Sequence, residues 1–275
     1  ESSLSKTLKA LSYDPGFFST AACSSAITYI DGEQGILRYR GYDITSLVGY
    51  DFLSIVYLLF YGEMPNKEQE ASFKSKVQSA GSIPEQVRNN VLSFSPEAHP
   101  MAILMSSFAS LAAFYHQECE KDLKDENFDF GIKAIAHVSE LVALVYRHTS
   151  GLGLFESDAY SLHDSYANKF VKMMFNNPSS EEIISKALNI IFVLHADHEQ
   201  NASTATVRLS GSAGANLFAC IGAGIATLWG PAHGGANEAV IKMLKQINDI
   251  KAIPDYISQV KENKDNVKLM GFGHR

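Results

Sequence analysis

The sequence predicts an all-α fold with one small β-hairpin near its N-terminus. Two segments rich in β-branched and aromatic residues, 26–30 and 35–42, flank Asp31-Gly32. Asp and Gly are residues that hairpin turns favour, so this pattern predicts a β-hairpin. Strand signals stop after it, and apolar residues then recur at helical spacing. The segments with this spacing are residues 46–61, 100–116, 132–148 and 180–198.

Several of these predicted helices have recognisable ends. Pro100 stands at a first turn, where its missing N–H costs no hydrogen bond. Ser179 and Glu182 form a predicted capping box for the helix that leads to His195. The charged stretch 118–129 predicts a solvated loop.

Residues 210–228 are unusually rich in glycine and alanine. Each glycine costs a helix about 1 kcal/mol relative to alanine, so several together indicate a gain elsewhere. Close approach to another helix is such a gain. We predict one tightly packed helix here, which is either an ordinary buried helix or part of a subunit interface.

Composition excludes several classes of protein. The chain has 275 residues, of which 46% are hydrophobic, so it is long and apolar enough for a substantial core. Its net charge is −7 without a basic stripe, which argues against nucleic acid and anionic membranes as partners. The apolar runs 52–61 and 217–229 are shorter than the roughly 18 residues of a membrane span.

The cysteines point to an intracellular protein. Cys23, Cys119 and Cys220 are odd in number and far apart, which argues against a disulfide framework and against a paired-cysteine zinc site. The chain has no initiating Met and stops in a glycine-rich turn at Arg275. We therefore expect it to be part of a longer protein, and a targeting peptide stays an open possibility.

The first chemistry-bearing segment, residues 194–201, reads Leu-His-Ala-Asp-His-Glu-Gln-Asn. His195 and His198 are three residues apart and are predicted to share a helix face. Because the carboxylates of Asp197 and Glu199 lie between and beside them, a metal site is one interpretation, but the order is not the zincin order His-Glu-x-x-His and no third ligand is evident. The alternative is that these histidines bond backbone carbonyls at a helix end.

The second segment, residues 229–238, reads Trp-Gly-Pro-Ala-His-Gly-Gly-Ala-Asn-Glu. Its glycines allow a sharp turn with His233 at the tip, before a new helix whose free N–H groups favour negative charge. An imidazole held in this way can donate a hydrogen bond to a developing enolate oxygen. An ordinary exposed loop histidine is the alternative.

The third segment, residues 269–275, reads Leu-Met-Gly-Phe-Gly-His-Arg and places His274 and Arg275 beside alternating glycines. Both side chains suit an anionic substrate. The sequence has no serine nucleophile elbow, Walker loop or dinucleotide fingerprint. Together the three segments indicate a site that polarises carbonyl groups on anionic substrates.

At these segments the chain closely resembles citrate synthases, particularly the bacterial type. The three motifs occur in the family's order and at similar spacing. The resemblance extends back through His99-Pro100-Met101 and the hairpin around residues 38–41, and it covers essentially the whole chain.

The resemblance implies a role for each motif. His233 would hydrogen-bond the thioester oxygen of acetyl-coenzyme A as it becomes an enol. His274 would bind and polarise the carbonyl group of oxaloacetate, while His198 and Asn201 would line the same pocket. The residues implied to lie against coenzyme A are Met270, Gly271, Phe272 and Gly273.

The resemblance also implies two domains, with residues 1–235 as an incomplete large helical domain and 236–275 as the start of a smaller one. The family's general base, an aspartate, and further substrate arginines follow the Gly-x-Gly-His turn, so no base is assigned. We expect this chain alone to be inactive and the full-length protein to be an acyltransferase of the tricarboxylic acid cycle. No metal or other cofactor is expected, because acetyl-coenzyme A is a substrate.

Other properties are implied less specifically. The family resemblance favours a homo-oligomer, either a dimer or a hexamer, in the bacterial cytoplasm. One alternative is 2-methylcitrate synthase, which uses propionyl-coenzyme A. Another is a non-catalytic helical module that keeps a coenzyme A-binding surface or an allosteric nucleotide site such as the NADH site of some bacterial relatives.

Overall fold

The computed structural model describes residues 23–121, 128–155, 164–175, 181–263 and 267–272. Within these ranges the chain is mainly helical and carries one small sheet, so the predicted all-α class is confirmed. No helix in the described ranges is both long and apolar enough to cross a membrane.

The predicted hairpin is confirmed and belongs to a three-stranded sheet. Strand β1 (Thr28–Asp31) pairs antiparallel with β2 (Ile36–Tyr39), and β2 pairs with the two-residue strand β3 (Tyr42–Asp43). The segment predicted as one strand over 35–42 is interrupted, because Arg40 and Gly41 have φ angles of 49° and 90° and reverse the chain.

The turn of the hairpin is longer than Asp31-Gly32 alone. Residues 32–35 connect the two strands, and Gly35 has a φ angle of 68°. Oδ1 of Asp31 accepts hydrogen bonds from the backbone N–H groups of Glu33 and Gln34 at 3.0 and 2.9 Å. Asp31 therefore closes the turn with its side chain, as aspartate commonly does.

The helices follow the sheet in chain order. They are α1 (Ile44–Leu47), α2 (Phe52–Tyr61), α3 (Lys67–Ser79), α4 (Glu85–Ser93), α5 (Pro100–Phe114), α6 (His116–Lys121), α7 (Asp129–Thr149), α8 (Tyr166–Met174), α9 (Glu181–Leu194), α10 (Ala202–Ser212), α11 (Leu217–Leu228), α12 (Gly235–Ile247), a 3-10 turn (Ile250–Ala252) and α13 (Ile253–Lys261).

Three predicted boundaries are wrong. The helix predicted over 46–61 is split into α1 and α2, because the Asp51 side chain accepts from the Leu53 N–H and starts a new helix. The loop predicted over 118–129 begins with helix α6. The helix predicted over 180–198 ends at Leu194.

Of the two predicted helix starts, one is confirmed and the other lies partly outside the described residues. The start at Pro100 is confirmed, with Pro100 in the first turn of α5. The predicted capping box cannot be placed, because Ser179 lies outside the described residues. Glu182 instead forms an ion pair at 2.7 Å with Lys186, one turn further along α9.

Helix α7 lies in the centre of the main hydrophobic core. Its Leu141 packs in one cluster with Phe108 and Leu111 of α5 and Phe218 of α11, all of them at most 1% exposed. Burying such a side chain contributes roughly 1.5–3 kcal/mol relative to leaving it exposed. This cluster packs α5, α7 and α11 into one core, in which α5 and α11 also contact each other directly.

A second, smaller cluster fastens the sheet to the helices. Tyr39 of β2 is fully buried against Ile55 and Leu58 of α2 and Val193 of α9. Its hydroxyl donates to the carbonyl oxygen of Val193 at 3.0 Å. The C-terminal end of α9 is therefore tied to the sheet.

Helices α10 and α11 form a close antiparallel hairpin. The single helix predicted over 210–228 is wrong, since Gly214 with a φ angle of 78° and the N-cap Asn216 divide it. The close approach expected from the small residues is present, because a Cβ atom on Gly224 would lie 2.6 Å from Cγ2 of Val207. A role in a subunit interface stays a prediction.

His137 of α7 is a buried titratable group in the main core. It is fully buried, and its Nε2 atom lies 2.9 Å from the hydroxyl of Tyr115. Its Nδ1 atom has no hydrogen-bond partner within the described ranges. Burial, together with the nearby Lys133 ammonium, lowers the pKa of His137 to about 4. The imidazole is therefore neutral in the folded protein near pH 7.

We expect Gly224→Ala to destabilise the protein by about 1–3 kcal/mol, because the added methyl group overpacks the α10–α11 contact against a stiff valine. Urea denaturation would measure this change. Gly222→Ala is the matched control on the same helix, since its Cβ atom would meet Phe108 at an ordinary 3.7 Å. Equal stability of the two variants would contradict the packing account, and Val207→Ala should rescue Gly224→Ala.

We expect the free energy of unfolding to fall as the pH drops from about 6.5 to about 4, by up to about 3 kcal/mol from His137. The reason is that the unfolded state binds a proton on this imidazole near pH 6.5, while the folded state binds it only near pH 4. Denaturation curves between pH 7 and 4 would measure it. His137→Gln should have a shallower slope, and an unchanged slope would refute the assignment.

Candidate functional site

The turn that carries His233 is built from close backbone contacts between α11 and α12. The carbonyl oxygen of Gly230 accepts from the N–H groups of His233 and Gly235 at 3.0 and 3.1 Å. A Cβ atom on Gly234 would lie 2.6 Å from the carbonyl oxygen of Leu228, and one on Gly235 would lie 2.8 Å from that of Gly230. Only glycine fits these two positions without a shift of the backbone.

His233 begins a chain of hydrogen-bonding side chains that leads into α10. Its Nε2 atom lies 2.9 Å from Oγ of Ser203, in the first turn of α10. Oγ of Ser203 lies 2.8 Å from Oδ1 of Asn201, the N-cap of that helix. Oδ1 of Asn201 also accepts from the N–H of Thr204 at 2.9 Å. The structure thus brings together two of the predicted site residues, His233 and Asn201.

Ser203 is a site residue that the sequence analysis missed. Its hydroxyl has one proton and two acceptors within reach, Oδ1 of Asn201 and Nε2 of His233. Donation to His233 places the proton of the neutral imidazole on Nδ1, and donation to Asn201 places it on Nε2. Ser203 therefore controls which nitrogen of His233 is a donor. The one feature of the sequence that could have identified Ser203 is its position two residues after Asn201, in a pattern typical of the start of a helix.

The predicted pairing of His195 and His198 on one helix face is wrong. Helix α9 ends at Leu194, and Nδ1 of His195 donates to the carbonyl oxygen of Ile191 at 2.8 Å. His195 thus has the helix-end role that was the alternative interpretation. His198 lies beyond the helix in the link to α10, and its side chain is exposed.

Two carboxylates hold the link between α9 and α10 against the sheet. Oε1 of Glu199 accepts from the N–H of Thr28 and from Oγ of Ser25, both at 2.8 Å. Oδ2 of Asp197 accepts from the hydroxyl of Thr28 and from the N–H of Glu199. Glu199 has a φ angle of 54°, which its side-chain bonds help to maintain. These carboxylates therefore position His198 and Asn201.

Part of the predicted coenzyme A segment lies against α12. The N–H of Met270 donates to Sδ of Met243 at 3.3 Å. Gly271 has a φ angle of 84°, and a Cβ atom there would lie 2.8 Å from Val240. Phe272 is 74% exposed. The predicted site residues Gly273 and His274 lie outside the described residues, as does Arg275.

An open cleft of about 260 Å³ lies beside the His233 turn, between Met101 of α5, Trp229 and the first turn of α12. Its walls are mainly apolar, with Glu238 at one side. In the part of the chain that the structure describes, no three His, Cys, Asp or Glu side chains are grouped so that they could hold a metal ion.

Comparison with known proteins identifies the family of this chain. Residues 16–275 match the family model described as "Citrate synthase, C-terminal domain". The structure is similar to that of citrate synthase from the thermophilic archaeon Thermoplasma acidophilum, with a TM-score of 0.84 and 30% identity over 96% of this chain and 68% of that one. That structure is described as a ternary complex with carboxymethyl coenzyme A and oxaloacetate.

Two further solved citrate synthases are similar. The enzyme from Pyrobaculum aerophilum has a TM-score of 0.84 and 29% identity, covering 95% of this chain and 66% of that one. The enzyme from Thermotoga maritima MSB8 has a TM-score of 0.78 and 26% identity, covering 94% and 67%. The chain thus spans about two thirds of the length of these proteins. Since the family model matches nearly all of it, this chain belongs to the citrate synthase family.

Proposed function

We propose that the full-length protein is a citrate synthase, which condenses acetyl-coenzyme A with oxaloacetate and releases citrate and coenzyme A. The observation that carries the proposal is the chain of contacts from His233 through Ser203 to Asn201. It holds one imidazole in a tight turn, with a partner on one ring nitrogen. The family match and the substrate-analogue complex of the Thermoplasma acidophilum relative support the same reaction.

The proposed role of His233 follows from the chemistry of the thioester. The methyl group of acetyl-coenzyme A is a very weak acid, so a base must remove its proton while a donor stabilises the enolate oxygen in the same step. In the structure the Ser203 hydroxyl donates to Oδ1 of Asn201. The proposal is that this hydroxyl turns to donate to Nε2 of His233, 2.9 Å away, when substrate binds, which leaves Nδ1–H to donate to the thioester oxygen. The imidazole then acts as a neutral donor.

The remaining steps concern oxaloacetate. The carbon of the enol attacks the ketone carbon, and a carbon–carbon bond forms as the π bond of the ketone opens onto its oxygen. The enol oxygen releases its proton as the thioester carbonyl re-forms, and the ketone oxygen takes up one proton, so the step balances. Water then cleaves the citryl thioester into citrate and coenzyme A. We propose that His198, Asn201 and His274 bind oxaloacetate, and that residues 270–273 contact coenzyme A. The Oδ1 atom of Asn201 is committed to α10, so its Nδ2 group is the donor that it offers to a carboxylate.

Several finer assignments also belong to the proposal. We propose a bacterial-type enzyme in the cytoplasm that works without a metal or other cofactor and assembles as a homo-oligomer. The division into domains near residue 235 is likewise proposed. It is supported by the exposed apolar residues of the last helices, Ile241 and Leu244 in α12 and Ile253 in α13, which offer a surface for a second helical layer.

We expect His233→Ala in the full-length protein to lower kcat by about 100- to 1000-fold, because it removes a donor to the enolate oxygen. The assay is oxaloacetate-dependent release of coenzyme A from acetyl-coenzyme A. His116→Ala, an exposed histidine paired with Glu120, is the control and should keep full activity.

The same assay separates the other candidate functions. Faster release from propionyl-coenzyme A than from acetyl-coenzyme A would identify a 2-methylcitrate synthase instead, since the two substrates differ by one methylene group. Binding of acetyl-coenzyme A without turnover by the wild-type full-length protein would refute the enzyme proposal and favour a binding module.

We expect Ser203→Ala to lower kcat about 10-fold, the loss of about 1.4 kcal/mol that one such hydrogen bond represents. The neutral His233 then loses the partner that fixes its tautomer. Steady-state kinetics would measure the change. The control is Ser212→Ala at the exposed end of the same helix, whose hydroxyl donates only to the carbonyl oxygen of Leu209. Equal kcat values for the two variants would show that Ser203 does not orient His233.

A further inference from the structure

His99 is a second histidine at the His233 turn, and it starts a different helix. It is the N-cap of α5, where its Nδ1 atom accepts from the N–H of Met101 at 3.2 Å. Because Nδ1 is an acceptor, a neutral His99 carries its proton on Nε2. That Nε2 atom lies 3.5 Å from Oε2 of Glu238, in the first turn of α12. One ring thus joins the start of α5 to the start of α12.

The face of the same ring contacts the other side of the turn. The imidazole of His99 is stacked on the indole of Trp229, with ring centroids 4.7 Å apart and planes inclined by 29°. Trp229 directly follows α11, and Glu238 lies five residues after His233. His99 therefore contacts residues on both flanks of the turn that carries His233.

The negative charge of Glu238 is stabilised by a neighbouring lysine. Lys242, one turn further along α12, lies 2.6 Å from Oε1 of Glu238. This hydrogen bond, with a smaller contribution from His99, lowers the pKa of the Glu238 carboxyl group. The carboxylate that faces Nε2–H of His99 is therefore ionised near neutral pH and attracts that donor.

We propose that His99 is a positioning residue for His233, which it orients by clamping the flanks of the turn through Trp229 and Glu238. This inference rests on the proposed function. The turn needs such a support because two of its backbone hydrogen bonds, from the N–H groups of His233 and Gly235, share the carbonyl oxygen of Gly230 as their acceptor, and its backbone is rich in glycine. Misplacing a catalytic donor by a fraction of an ångström is costly, because its effect depends on alignment with the enolate oxygen.

The decisive variant is His99→Asn. Asparagine is among the best N-cap residues, so it should keep the start of α5, yet it removes both the stack on Trp229 and the contact with Glu238. The full-length variant should keep the thermal unfolding midpoint of the wild type. Its kcat should fall about 10-fold or more while the KM for acetyl-coenzyme A changes less than 3-fold, because the alignment of a transition-state donor is lost.

Trp229 supplies a readout that does not depend on catalysis. Its fluorescence, isolated by subtracting the spectrum of a Trp229→Phe variant, should change in intensity and wavelength in His99→Asn because the imidazole stack is lost. Wild-type kcat together with wild-type Trp229 emission in His99→Asn would overturn the inference and leave His99 as a helix cap only.

A second variant covers the case in which His99→Asn lowers the unfolding midpoint. Glu238→Gln leaves the cap and the stack intact and removes only the charge that faces His99; it should lower kcat 2- to 3-fold. An unchanged kcat in that variant would then overturn the clamp. If the wild type itself releases no coenzyme A, the proposed function fails. The role of His99 is then still tested by hydrogen exchange of residues 229–235: faster exchange in His99→Asn than in the wild type would support the clamp, and equal exchange would overturn it.

Discussion

The contact between α10 and α11 is the constraint on which the candidate site depends. Gly224 lets the two helices approach until a Cβ atom would collide with Val207, and Thr206 and Thr227 join them with a hydroxyl contact of 3.0 Å. Because the helices are antiparallel neighbours, the end of α11 lies beside the start of α10. This brings the turn of His233 to the Ser203 hydroxyl. A looser pairing would separate the imidazole from the group that fixes its tautomer.

The sheet has a comparable role on the other side of the site. It buries Tyr39 against α2 and α9, and its first strand offers the N–H and hydroxyl groups of Thr28 to the carboxylates of Asp197 and Glu199. In a mainly helical protein, this small sheet thus holds the non-helical link that carries His198. The two carboxylates, which by sequence resembled possible metal ligands, are instead occupied by structural hydrogen bonds.

The sequence predicted the fold class, the hairpin and the more apolar helices such as α5, α7 and α9, because these depend on apolar periodicity and on turn residues. It did not predict the helices α3, α4, α8 and α13. It did not predict where helices are interrupted. The breaks at Asp51 and Asn216 depend on side-chain caps within continuous apolar runs, and the end of α9 depends on bonds to a strand about 170 residues earlier. Periodicity contains no information on such contacts.

The same distinction applies to the site. His233 and Asn201 were found through motifs, whereas Ser203 and His99 owe their positions to packing between helices that the sequence does not display. A serine in the first turn of a helix is common, and its use as a partner of His233 becomes visible only when α10 and α11 are placed side by side.

The contacts of the site also fall into two groups, according to how far apart the paired residues lie in the sequence. The contact between Ser203 and His233 spans 30 residues within one helical hairpin, whereas that between Thr28 and Glu199 spans 171 residues. Closing a short loop costs less entropy and is faster than closing a long one. During folding, the part of the site that carries His233 can therefore form within the α10–α11 hairpin. The part that carries His198 can form only after β1 has packed against the helices.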